Sequence, residues 1–503
     1  MMSSESLYID RLLRVLGDVG DGQVVRCDGR AVSGNQLRAR IFQYARALSD
    51  RNVGRGSLLG LFVPNLPDAL AVRYAAHVLG AATVFLSVPP TLEGQRELLG
   101  HLAPDLLVVF PQTLALAEAA GGIPWVTIGC GARSACNALD HALDLRDPAP
   151  LPVQAQINDL AVIASSGGTT GVPKGSCRTF SVYTRMVTRP GSQARIQLVN
   201  GPFAYLSQVL VDVTLLGGGC VVLQDGYDPA RTLGAIERER VTDLFLVEPQ
   251  LFDLMDHPGI GSHDLSSLRS LMHIGATAPS VLRMRARDRF GPVISHVYGA
   301  SEIGLVSMLA PEEHDPSHPE SFASAGHLLP EVNVRFRRAD GLLAGPGGTG
   351  IVEVRSPAMA SGYRNDQNLT ARNFHDGWYT TGDLGRLEAD GSLRIFGRAT
   401  DAIDVGGRLV GSVEIEDVVC RQPTIRGAVA FRDPAGGVMI IGVVGWEGRP
   451  GKLDVCRRAL NDLLGRAIAA SCVITALPGI PRTPQGKPDR LAIAGLAHLA
   501  ASG

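Results

Sequence analysis

The amino-acid sequence predicts an α/β protein: a large N-terminal domain of parallel and mixed sheets covered by helices, with a β-rich subdomain at its end, followed by a small α+β domain. Three observations predict it. Helical and strand patterns alternate as far as about residue 300. Short alternating strands with turn signals replace them from about residue 330. Mixed α and β patterning returns beyond Arg398. The expected boundaries are 1–397, with the β-rich part over about 330–397, and 398–503.

Each element follows from its pattern. MMSSESLYIDRLLRVL reads as an amphipathic helix carrying acids; lacking a basic start followed by an apolar run, it is no secretory leader. SGNQLRARIFQYARALSDR keeps apolar residues at helical spacing behind Ser33, a hydroxyl N-cap. SLLGLFV is an apolar run of strand length. PDALAVRYAAHVLG, AATVFLS, TLEGQRELLGHL and DLLVVF then read helix, strand, helix, strand. Such alternation implies parallel strands covered on both faces. After a glycine-rich loop it resumes with FAYLSQVLVDVTLLGGG, CVVLQ, DPARTLGAIERE and DLFLV. LRSLMHIG and PVISHVYG read as strands around the helix APSVLRMRARDRF. EVNVRFRRADG, GTGIVEVRSP and RLEADGSLRIFGR supply the short strands of the β-rich part.

Composition narrows the function classes. With 503 residues, 45% hydrophobic and 19% charged, the chain can bury sizeable cores in more than one folding unit. A net charge of -2 leaves no footprint for nucleic acid or an anionic membrane. Eight cysteines without a CxxC pair read as thiols in a reducing compartment. The apolar stretch AVRYAAHVLGAATVFLSVPP is interrupted by Arg73 and His77 and ends in two prolines, so it does not span a bilayer. The expected location is the cytoplasm.

The segment SSGGTTGVPKGS, Ser165 to Ser176, has little to pack. Small residues let successive backbone N–H groups face one concavity, a nest for oxyanions. Ser165, Thr169 and Thr170 add hydroxyls, and Lys174 adds a compact ammonium. Lysine occurs only at 174, 452 and 487 among 47 basic residues. Two of the three sit in Gly/Pro-rich loops, TTGVPKG and PRTPQGKPDR. Arginine cannot replace a lysine that serves as a mobile point charge. This loop grips polyphosphate without being a Walker A motif, because the lysine follows a proline.

SGGTTGVPKG resembles the phosphate-loop signature of the adenylate-forming enzymes: acyl-CoA synthetases, nonribosomal peptide synthetase adenylation domains and luciferases. Further resemblances follow in that family's order: HVYGASEIG, GIVEVRSPAMASGY, GWYTTGDLGRLEADGSLRIFGR, DVGGRLVGSVEIED and PRTPQGKPDR, covering roughly residues 30–492. The resemblance implies a barrel-like form for the β-rich part and a mobile C-terminal domain. It also implies that a carboxylate attacks the α-phosphorus of ATP, giving an acyl-adenylate and pyrophosphate. The acyl group then passes to a thiol or an amine.

The resemblance assigns roles by position. The loop residues Ser165, Ser166, Gly167, Gly168, Thr169, Thr170 and Gly171, with Lys174, would hold the β- and γ-phosphates. Glu302 would bind Mg2+, and Ser301 would sit beside the α-phosphate. His296, Tyr298 and Gly299 would meet the nucleotide, and Gly275, Ala276 and Thr277 would line the adenine edge. Asp383 would take the ribose hydroxyls, helped by Arg398. Lys487 would bridge the substrate carboxylate and the α-phosphate as charge develops. The acid pocket would draw on Tyr205, Gln208, Val209, Asp212 and Ile303, mostly apolar with a few polar anchors.

Departures from the family's pattern bear on the acceptor. Gly167 replaces a usual serine. The hinge acid's position is Thr400, with Asp401 beside it; Asp404 and Ser412 replace a lysine and a proline where a pantetheine arm would enter. Gly406 and Gly407 remain. Ala204 follows Phe203 where amino-acid-activating domains carry an aspartate. An aryl, cyclic or short aliphatic acid is therefore expected. The acceptor is CoA or a separate carrier protein's pantetheine, with a free amine as the alternative. The amine reading draws on the altered loop and on the chain ending at Gly503 without a carrier domain.

Overall fold

The computed structural model describes residues 6–86, 91–130, 137–166, 174–188, 194–203, 205–274, 279–446, 451–483 and 487–502. Two large sheets dominate it. The first runs, edge to edge, Trp125–Thr127, Leu106–Val109, Leu58–Phe62, Ala82–Phe85, Leu160–Ser166, Lys174–Thr179, parallel except for its last pair. The second has nine strands and places Asp243–Leu246, Ser270–Ile274 and Ile294–Ala300 side by side in parallel. Parallel strands need crossovers of helix length, which explains the alternation along the sequence.

Local chemistry sets the helices between the sheets. Helix Gly34–Ser49 starts at Ser33, whose hydroxyl accepts from the Gln36 N–H while the Gln36 side chain accepts from the Ser33 N–H. Helix Pro67–Val78 has its proline in the first turn, where no N–H is missed. Both join helix Tyr8–Val19 in one core shared by the two sheets.

Five antiparallel strands between Asn333 and Arg398 form the β-rich part. Past the turn Ala399–Asp401, Ile403–Val405 and Arg408–Val410 make a hairpin. Gly406 and Gly407 form its tip with φ of 62° and 88°, the two-residue turn that needs positive φ at both positions. Strands Ile425–Arg432, Met439–Gly445 and Val473–Leu477 then carry helices with their own cores. No helix among the described residues is long and apolar enough to cross a membrane. The seven described cysteines are free thiols.

Candidate active site

Strands Leu160–Ser166 and Lys174–Thr179 pair antiparallel, with Ser165 opposite Gly175 and Ser166 opposite Lys174. They hold the two ends of the glycine-rich loop. The expected contacts of Gly167, Gly168, Thr169, Thr170 and Gly171, and of Gly275, Ala276 and Thr277, lie outside the described residues, as do the side chains of Ser166 and Tyr205. Ser165 Oγ is buried at the loop's base without a hydrogen-bond partner among the described residues. A buried hydroxyl left unpaired is costly, so it is suited to a ligand's oxygen.

The strand Lys174–Thr179 also carries a second segment. Cys177 N–H donates to Gly362 O at 2.9 Å, Arg364 N–H to Gly175 O at 2.7 Å, and Ser361 N–H to Cys177 O at 2.9 Å. This stitching sets the Tyr363 ring 5.8 Å from Lys174 Nζ, a cation–π contact. The Tyr363 hydroxyl in turn donates to Glu302 Oε1 at 2.9 Å and lies 3.2 Å from the Tyr379 hydroxyl. Burial, followed by the charge of Glu302, pushes both phenols up, so they stay neutral donors.

Glu302 sits in the turn between antiparallel strands Ile294–Ala300 and Gly304–Leu309. The turn is tight: a Cβ on Gly299 would stand 2.4 Å from the Gly304 carbonyl oxygen. Ser301's carbonyl accepts from Ser176 Oγ at 3.0 Å and Arg178 Nη2 at 2.6 Å, which pins the turn to the loop strand.

Asp383 and Arg398 are direct cross-strand partners, and Arg398 Nε lies 3.3 Å from Asp383 Oδ1. Arg398 Nη1 donates to Thr381 O at 2.8 Å, and Tyr298's hydroxyl donates to Asp383 Oδ2 at 2.6 Å. Two side chains from different strands, Arg398 and Tyr298, therefore fix one carboxylate. The Asp383 carboxylate holds the Arg398 guanidinium above its ordinary range.

Lys487 comes from far along the chain. Its loop is closed by Thr483 N–H to Lys487 O and Asp489 N–H to Pro481 O, both 2.8 Å. Asp489 Oδ1 accepts the Ala492 N–H at 3.0 Å and caps the following helix. Lys487 is solvent-exposed, yet crowded enough by protein for burial to depress its pKa, with Arg398 depressing it further and Glu302 and Asp383 opposing.

Other residues stand elsewhere than the sequence places them. Asp212, expected as a polar anchor of the acid pocket, is fully buried in a bidentate pair with Arg73 at 2.8 Å through both oxygens. It is a core residue, because its charge is consumed by a buried partner. Ile303, expected to line the same pocket, is 0% exposed and packs into the core with Val306, Phe336 and Val352. His296 is buried against His273, their Nδ1 atoms 3.0 Å apart, rather than open to a nucleotide. Burial keeps both imidazoles neutral. Gln208 is buried with Oε1 unpaired among the described residues, and Val209 is half-buried against the central core. Tyr363, Tyr379, Thr381 and Arg178 were not singled out by sequence reasoning; the SGY triplet at 361–363 was the available signal.

The chain resembles known proteins along most of its length. The chain is 29% identical over 493 residues to a medium/long-chain fatty-acid–CoA ligase of Mycobacterium tuberculosis, covering 92% of this chain and 85% of the relative. It is 30% identical to a feruloyl-CoA synthase of Amycolatopsis, covering 82% and 83%. An amide bond synthetase from Marinactinospora thermotolerans superposes with a TM-score of 0.84 at 29% identity, covering 97% and 99%. An anthranilate–CoA ligase, at 21% identity and a TM-score of 0.88, shares the fold over 100% of this chain and 99% of its own. Over residues 17–364 the sequence matches the AMP-binding enzymes, and the chain belongs to that family.

Proposed function

We infer that the protein is an ATP-dependent carboxylic acid ligase. The substrate carboxylate oxygen bonds to the α-phosphorus of ATP, and the bond to the pyrophosphate oxygen breaks. A thiol then attacks the acyl carbon, the carbonyl–phosphate oxygen bond breaks, and AMP leaves. The observation that supports this reading is the carboxylate of Asp383 held by Arg398 and Tyr298, with Glu302 held by Tyr363 and the Lys487 ammonium near enough to feel the charges of Arg398, Glu302 and Asp383. Bringing two anions together requires fixed positive charge and positioning, not a covalent intermediate with the protein.

In this reading Asp383 accepts the ribose hydroxyls, its orientation set by Arg398 and Tyr298. Ser165, Lys174 and the glycine-rich loop hold the outer phosphates. Lys487 meets the negative charge that grows between carboxylate and phosphorus. No group of three His, Cys, Asp or Glu gathers among the described residues. A divalent cation would therefore rest on Glu302 and the nucleotide's own phosphates, the habit of Mg2+, where it would neutralise phosphate charge. Residues 1–397 and 398–503 act as two units, the second delivering Lys487.

Pyrophosphate exchange into ATP with aryl, cyclic and aliphatic acids tests the reading. At least one acid should support exchange; exchange with none of them contradicts it. A second reading, with an amine as acceptor, is favoured by the resemblance to an amide bond synthetase. Product mass spectrometry with CoA against free amines separates the two.

A further inference from the structure

Lys487 works from a loop that must be held in place, and an arginine flanks it on each side. Arg490 turns toward the loop's own domain: Nη1 lies 2.9 Å from Asp401 Oδ2, while Asp401 Oδ1 accepts the Arg432 N–H at 3.1 Å. Arg482 turns the other way. It pairs with Asp253 on helix Glu248–Met255, and its Nη2 donates to Pro249 O at 3.3 Å. That helix belongs to the large sheet-bearing part, packed in the same core as Leu271 and Ile294. Arg426 extends the contact, with Nε 2.6 Å from Asp256 Oδ2 and Nη2 3.6 Å from Asp253 Oδ1. Arg285 closes it: Nη2 donates to Asp256 Oδ1 at 2.6 Å and Nη1 to Arg426 O at 3.1 Å.

We propose that Asp253 and Arg482 form a latch across the two parts of the molecule, and that both are positioning residues for Lys487. The latch touches no substrate. It fixes the near end of the lysine loop against the large part, while Arg490 and Asp401 fix the far end within the small part. Both latch side chains are about one-third exposed, 29% for Arg482 and 31% for Asp253, so the pair is reversible and screened by salt. Arg490–Asp401 is more enclosed, with Asp401 only 4% exposed, and holds whether or not the latch is closed. This proposal rests on the acid-ligase reading above.

The test is a double-mutant cycle in pyrophosphate exchange, with benzoate, 4-coumarate, indole-3-acetate and octanoate as probe acids. Asp253→Asn should lower kcat about 10- to 100-fold, the scale of misplacing a catalytic group by about 1 Å, with KM for ATP nearly unchanged. In a Lys487→Ala background the same substitution should cost nothing further, because the latch acts only through that lysine. Equal losses in both backgrounds would overturn the proposal. Arg482→Gln provides a second variant should Asp253→Asn fold poorly. An independent readout needs no substrate: amide deuterium uptake at Thr483 and Asp489 should rise in either variant. Unchanged uptake overturns the latch, whereas failure of exchange in the unaltered protein counts against the acid-ligase reading alone.

Discussion

Asp212→Asn tests whether the pocket or the core owns that carboxylate. Asp212 and Arg73 are both 0% exposed. The carboxylate accepts two bonds from Arg73 at 2.8 Å, one from Tyr74 at 2.5 Å and one from Tyr183 at 2.6 Å. An amide there removes the charge opposite a buried guanidinium and turns an –NH2 toward donors. Removing one partner of a buried pair costs about 3–5 kcal/mol, because the remaining charge has nowhere to go. A domain of this class loses about 2–4 °C of melting temperature per kcal/mol, so the first calorimetric transition should fall by about 6–20 °C. The protein that remains folded should keep its KM for the acid substrate. A normal melting temperature with a raised KM for the acid would refute the core assignment and return Asp212 to the pocket.

Three further outcomes follow from the same geometry. Asp383→Asn should raise KM for ATP about 10- to 150-fold, as loss of charge-assisted hydrogen bonds worth about 1.5–3 kcal/mol requires, measured by initial rates. Glu248 is pushed from its ordinary 4.5 up to about 8 by burial, against the opposing charge of Arg283. A carboxyl whose pKa rises on folding favours the folded state at low pH, and that contribution fades as pH climbs from 4.5 to about 8. Glu248→Gln should therefore flatten the decline of melting temperature across that window; an unchanged pH profile would exclude Glu248 as its source. Tyr363→Phe should lower exchange activity by releasing Glu302, with a change in melting temperature of no more than a few degrees.

Much of this site was readable along the chain, for physical reasons. Lys174 and Lys487 stand out because 44 of the 47 basic residues are arginine and both lysines sit in Gly/Pro-rich stretches of sequence. Asp383 and Arg398 lie in strands whose alternation and turn signals are local, and their pairing follows from the hairpin between them. What depends on long-range packing was not readable. Tyr363 reaches Glu302 only because residues 361–364 are stitched to the strand beside the loop. Asp212 looks like a pocket residue until Arg73, 139 positions earlier, is found against it. Ile303 follows Glu302 directly, yet it packs in the core cluster that also holds Tyr363, the residue whose hydroxyl reaches Glu302. Arg482 and Arg426 are lost among the other arginines until the helix bearing Asp253 and Asp256 meets them.

The most direct measurement compares pyrophosphate exchange by the unaltered protein and by Lys487→Ala, using whichever acid supports the fastest exchange. Removing a preorganised charge that meets the transition state costs about 10²–10³ in rate. Lys487→Ala should lose that much in kcat while binding ATP as before. Exchange at an undiminished rate would mean that the Lys487 ammonium does not take part in forming the adenylate.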